Sequence, residues 1–160
     1  MKNAPPKKKA VDPSGTHLWL VMMKAHRALQ RLATRSIETA DWGLSDFAVM
    51  EMLLHKGPQP VNEIGRRIEL TSGAITTAVD RLESLSLVTR EAHPSDRRAR
   101  IVRLTAAGKE QAAKIFAVHK AAMDSAASGL SKTERTTLIE LLKKLGTSAG
   151  TQAAPRKSED

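Results

Sequence analysis

From His17 to about Thr39, apolar side chains (Leu18, Val21, Met22, Ala25, Leu29 and Leu32) recur at intervals of three and four residues. That spacing lines one face of an α-helix. Asp41, Trp42 and Gly43 break the pattern, and Ser45 is placed to cap a second helix through His55, with Leu44 and Val49 as its hydrophobic staple. Gly57, Pro58 and Pro60 end it. VNEIGRRIEL from Val61 forms a short third helix, and LTSGAITTAVDRLESL from Leu70 a fourth. There Thr71 is the N-cap, Leu70 and Ile75 the staple, and Ile75, Val79 and Leu82 one apolar stripe. Short helices joined by so tight a turn make the helix-turn-helix pattern.

Leu87–Glu91 and Arg100–Leu104 then alternate as two short strands around the turn formers Pro94, Ser95 and Asp96, which adds a wing. A fifth helix runs from Thr105 to about Ala127. SKTE at 131–134 is a capping box opening a sixth, with Leu138, Leu141, Leu142 and Leu145 on its inner side. The expected fold is mainly α with a small β wing, about six helices and two or three short strands. A winged helix-turn-helix lobe spans about 44–105, and a helical dimerisation region about 15–40 and 105–147. The basic stretch 1–14 and the small, polar stretch 148–160 are expected to be disordered tails. The first and last two helices each need cover for an apolar face, and a second copy of the chain would supply it.

Charge narrows the partner. The 160 residues, enough for one folding unit, carry 26 Lys and Arg against 17 Asp and Glu, a net charge of +9. That favours a polyanion, nucleic acid ahead of an anionic membrane surface. The aromatic side chains are Trp19, Trp42, Phe47 and Phe116, too few for a base-stacking platform, so double-stranded DNA is the better target. Without cysteine there is no disulfide, thiol catalysis, thiol redox sensing or Cys-bound zinc. The longest apolar run, LWLVMM, falls far short of the ~18 residues of a membrane span. MKNAPPKKK lacks the apolar middle of a secretory signal, which points to a cytoplasmic protein. His17, His26, His55, His93 and His119 show no paired metal spacing, and there is no phosphate loop, catalytic carboxylate pair or nucleophile setting. No metal, no cofactor and no enzymatic activity are expected.

In a helix-turn-helix the second helix enters the major groove, which here presents Ser72, Gly73, Thr76 and Thr77. Their hydroxyls suit bases or phosphates, although a Thr-rich face is also simply soluble. In SDRRARIVRLT, Arg97 and Arg98 fall at the loop tip, where paired guanidiniums suit the minor groove. Asp96 beside them is a liability unless it pairs internally. A charged edge that blocks aggregation explains Arg100 and Arg103, but not Arg97 and Arg98. Arg66 and Arg67 suit either a phosphate or a solvated helix end near Glu63 and Glu69. Arg81 is placed to reach a phosphate or an internal carboxylate such as Asp96.

Leu70 to Glu110, with DRLE at 80–83, LVTR at 87–90 and DRRARIVRLTAAG at 96–108, resembles the core of the MarR family of bacterial winged-helix transcriptional regulators. The helix order resembles that family over roughly 15–147. The resemblance implies a homodimer reading a pseudo-palindromic operator, with Arg98 in the minor groove and Asp96 orienting it. It also implies a cleft between dimer body and winged lobe for a small phenolic or aromatic acid that loosens DNA binding. The matching positions are Trp19, Met22, Met23, His26 and Arg27 on the first helix, and Trp42, Phe47 and Met50 near the second. Each of these also fits a core or dimer-interface role. The reading is a homodimeric repressor. The alternatives are a constitutive architectural DNA-binding protein, with a broad footprint that no ligand changes, and a winged-helix protein-interaction module, with weak sequence-independent DNA affinity.

Overall fold

The computed structural model describes residues 13–92, 95 and 99–153, Thr39 by its backbone only. Helix α1, Gly15–Ile37, is capped by Ser14, whose hydroxyl accepts from the His17 N–H at 3.2 Å. A 3₁₀ turn, Glu38–Ala40, leads through Asp41, at φ 56°, to α2, Leu44–Lys56. Strand β1 (Gln59–Pro60) precedes α3 (Val61–Arg67) and α4 (Ser72–Ser84). Strands β2 (Val88–Ala92) and β3 (Arg100–Leu104) lead to α5 (Ala106–Ala126) and α6 (Lys132–Ala153). The sheet is antiparallel in the order β1-β3-β2, with Arg90 opposite Val102 and Gln59 on the other side of Val102. No described helix is long and apolar enough to cross a membrane.

Local chemistry explains most boundaries. Thr71 accepts from the Ala74 N–H, and Thr105 from that of Gly108. Ser131 and Glu134 make the expected reciprocal box, with Ser131 N–H to Glu134 Oε2 at 2.8 Å and Glu134 N–H to Ser131 Oγ at 3.3 Å. Two expectations shift. Ser45 is not the cap of α2: the N-cap is Gly43, whose N–H donates to Asp46 Oδ2 at 3.0 Å, and the staple positions become Trp42 and Phe47, both buried. The short β1 joins the wing hairpin as a third strand, within the two or three expected. The chain from Ser148 to Ala153, expected to be disordered, continues α6, whose Thr147 and Thr151 hydroxyls bond carbonyls one turn back. The rest of both expected tails, 1–12 and 154–160, lies outside the described residues.

The core is enclosed by α2, α3, α4, β2, β3 and α5, with Val49, Met50, Ile64, Val79, Leu82 and Val102 fully buried. The long helices leave apolar area uncovered. Leu18, Trp19, Val21, Leu29 and Leu32 on α1, and Leu138, Leu141 and Leu142 on α6, are at least 40% exposed, and no residue of α6 is buried. Of the leucines expected on the inner side of α6, Leu138, Leu141 and Leu142 are therefore exposed in the single chain and Leu145 is half-buried.

The junction between wing and α5 is the tightest contact. The Leu87 carbonyl accepts from the Thr105 N–H at 3.0 Å, and the Thr105 hydroxyl donates to the Ser86 carbonyl at 2.8 Å. A Cβ on Gly108 would lie 1.9 Å from the Leu87 oxygen, a backbone atom that cannot rotate away. Gly108→Ala should therefore cost about 3 kcal/mol or more, a fall in melting temperature on the order of 10 °C by calorimetry. An unchanged melting temperature would show that the junction is loose.

Candidate nucleic-acid interface

Helix α4 divides its two faces cleanly. Ile75, Ala78, Val79 and Leu82 pack into the core, while Ser72, Gly73, Thr76 and Thr77 are exposed. The Thr76 hydroxyl donates to the Ser72 carbonyl at 2.9 Å, so its proton is spent within the helix. Among the described residues nothing pairs with the Thr77 hydroxyl, which leaves both its donor and its acceptors available. Beside this face lies a cavity of about 690 Å³ between α3, α4 and the wing, bounded in part by Arg66, Ser72, Thr76, Asp80, Arg90 and Arg100.

The arginines around that groove are largely engaged. Arg66 donates to Glu63 at 2.6 Å, and this hydrogen bond and the Arg66 charge hold the Glu63 carboxyl below its ordinary range. Arg67 lies 3.9 Å from the same carboxylate. Arg66 and Arg67 thus both lie beside Glu63 with exposed side chains. Arg103 makes a two-pronged pair with Glu91 across the wing hairpin, 3.2 Å for each bond. Arg90, which the sequence reading quoted in LVTR without a role, spans two elements. From β2 it donates to Asp80 and Glu83 of α4, both at 2.5 Å, while its own N–H donates to Glu83 at 3.1 Å. Burial works against its charge, but the bonds to Asp80 and Glu83 prevail and raise its pKa.

Arg81 points the other way along α4. Its Nη1 is 3.2 Å from Oδ2 of Asp46 on α2, so the internal carboxylate it reaches is Asp46. Asp96, Arg97 and Arg98 lie outside the described residues. Asp46, Asp80 and Glu83 are functional candidates that sequence reasoning missed, because their partners are distant in the chain. The one local signal was an acid three residues after Gly43, the position from which a side chain reaches back to a helix start.

The expected ligand residues do not form one pocket in the single chain. Trp42, Phe47 and Met50 belong to the closed core at 6% exposure or less, whereas Trp19, His26 and Arg27 are exposed on α1 and Met22 and Met23 are half-buried there. A concavity of about 780 Å³ along α1 includes Arg27, Arg31 and Arg35 but none of the other seven. Among the described residues no group of His, Asp and Glu could hold a metal.

The MarR family model matches residues 42–99, from the start of α2 into the wing. The chain is 38% identical over 132 residues to the HTH-type transcriptional regulator MhqR of Bacillus subtilis, a match covering 82% of this chain and 91% of the relative. A probable transcriptional regulator from Pseudomonas aeruginosa superposes with a TM-score of 0.72 at 27% identity, over 80% of this chain and 96% of that one. A cysteine-to-serine mutant of MarR from E. coli, complexed with operator DNA, gives a TM-score of 0.70 at 26% identity, over 80% and 92%. With its helix-turn-helix, its three-stranded wing and these likenesses, the chain belongs to the MarR family of DNA-binding transcriptional regulators.

Proposed function

We propose that the protein is a homodimeric repressor that reads a pseudo-palindromic operator in double-stranded DNA and is released by a small aromatic or phenolic acid. The observation that carries the reading is α4 itself: a helix locked by its inner face, with an exposed Thr77 hydroxyl that pairs with none of the described residues and a bare Gly73 outward. Solved MarR in complex with operator DNA supports it. Dimerisation is supported by the uncovered leucines of α1 and α6, apolar area that a monomer rarely leaves in water. Since Arg66, Arg81, Arg90 and Arg103 are engaged with carboxylates, the charge that meets DNA is assigned to Arg97 and Arg98.

Base contacts specify sequence, whereas groove and backbone contacts mainly supply affinity. On a duplex enriched by the protein from a random pool, Thr77→Ala should lose about 1–3 kcal/mol of preference over random DNA. Arg98→Ala should weaken both duplexes and lower the log–log salt slope by about 0.9 per chain. Parent affinity in Arg98→Ala would return the SDRRARIVRLT segment to a charged edge.

The effector site is assigned to the exposed part of α1, with Trp19, Met22 and Met23 as the apolar wall and His26 and Arg27 facing the carboxylate; Trp42, Phe47 and Met50 line it only if the lobe opens. Hydroxybenzoates should release the enriched duplex and quench tryptophan fluorescence, and Arg27→Ala should raise the concentration needed about tenfold. If no phenol or aromatic acid in a broad panel changes DNA binding, the constitutive architectural reading is favoured.

A further inference from the structure

We infer that Asp46 and Arg81 are a positioning pair, in which a carboxylate buried at the head of α2 holds an arginine of the recognition helix and so fixes how α4 lies on the lobe. The inference rests on the DNA-binding reading above, but assigns Arg81 to the protein interior instead of to a phosphate.

Asp46 is fully buried. Its Oδ2 accepts from the Gly43 N–H and lies 3.2 Å from Arg81, while Oδ1 has no hydrogen-bond partner among the described residues. A buried carboxylate is costly without a counter-charge, and among the described residues Arg81 is the cation within ion-pair distance. Arg81 is half exposed, so it could reach a phosphate only by leaving that carboxylate alone in the interior. The neighbouring positions point to the same task. Asp80 and Glu83 tie α4 to the wing through Arg90, and Leu82 between them is fully buried. Residues 80–83 thus fasten α4 in three directions, about one turn beyond the exposed Thr76 and Thr77.

The head of α2 also meets the long helices. Next to Asp46, the Phe47 ring lies 4.6 Å from that of His119 on α5, and His119 Nδ1 is 2.9 Å from Ser36 Oγ on α1. The Ser36 hydroxyl also lies 2.7 Å from the Ala33 carbonyl of its own helix. The anchor of the recognition helix is therefore one residue from the contact with the helical body.

The test compares Asp46→Asn, Arg81→Met and the double variant. Asn keeps an acceptor for the Gly43 N–H, and the double variant removes both charges, so no buried ion is stranded. Affinities for the enriched duplex and a random duplex are measured across a salt series, and amide exchange is followed without DNA. Each single variant should bind the enriched duplex about tenfold more weakly with an unchanged salt slope, and the double variant no worse than the weaker single. Exchange should quicken over residues 72–84 in both singles and stay unchanged over 132–153. The inference is overturned if Arg81→Met lowers the slope by about 0.9 per chain and weakens both duplexes alike while Asp46→Asn binds as the parent does. If the parent enriches no duplex, the DNA reading falls by itself. The exchange data then decide the pair, and unchanged exchange over α4 in Asp46→Asn refutes it.

Discussion

A helix that reads DNA has to be held from behind, because its outward side chains are useful only if their positions are fixed before binding. In α4 that restraint comes from four apolar side chains on one face and from charge pairs that leave adjacent residues in opposite directions. Asp80 and Glu83 reach Arg90 on the wing, and Arg81 reaches Asp46 on α2. Asp80 and Glu83 would repel a phosphate backbone if left bare; bound to Arg90 they become part of the scaffold. The wing is held in turn by the Gly108 and Thr105 contacts with the Ser86 and Leu87 carbonyls. Reader and wing are one mechanical unit.

The long helices solve a different problem. α1 packs along α5, yet both α1 and α6 keep rows of leucines in the open, and α6 buries nothing. The lobe closes its core within one chain, whereas the body leaves apolar area uncovered. That division suits a regulator whose reading heads are rigid and whose spacing is set by assembly.

Much of this was legible in the sequence because it is local. The three-and-four spacing gave α1 and the inner face of α4, and Thr71, Thr105 and the Ser131–Glu134 box marked helix starts through side chains a few residues from the amides they cap. Errors arose where two local solutions compete or where a distant partner decides. Ser45 and Gly43 both suit the start of α2, and Asp46 settles it for Gly43. Past Ser148, alanines and Gln152 sustain a helix that Gly146 and Gly150 weaken without breaking. The partners of Arg81 and Arg90 depend on how α2, α4 and the wing pack, which no spacing encodes. Trp42, Phe47 and Met50 fit a pocket or a core by sequence, because apolar side chains of both read alike until burial is known; in the single chain they lie in the core.

The proposed dimer, with one copy of α4 in each lobe, would have a geometric signature on DNA. Hydroxyl-radical footprinting of the enriched duplex tests it most directly: two recognition helices in successive major grooves should protect two segments on one face, with centres about 10–10.5 base pairs apart or a multiple of that. A single protected segment, or protection without periodicity along the duplex, would contradict a dimer that reads its operator through two copies of α4.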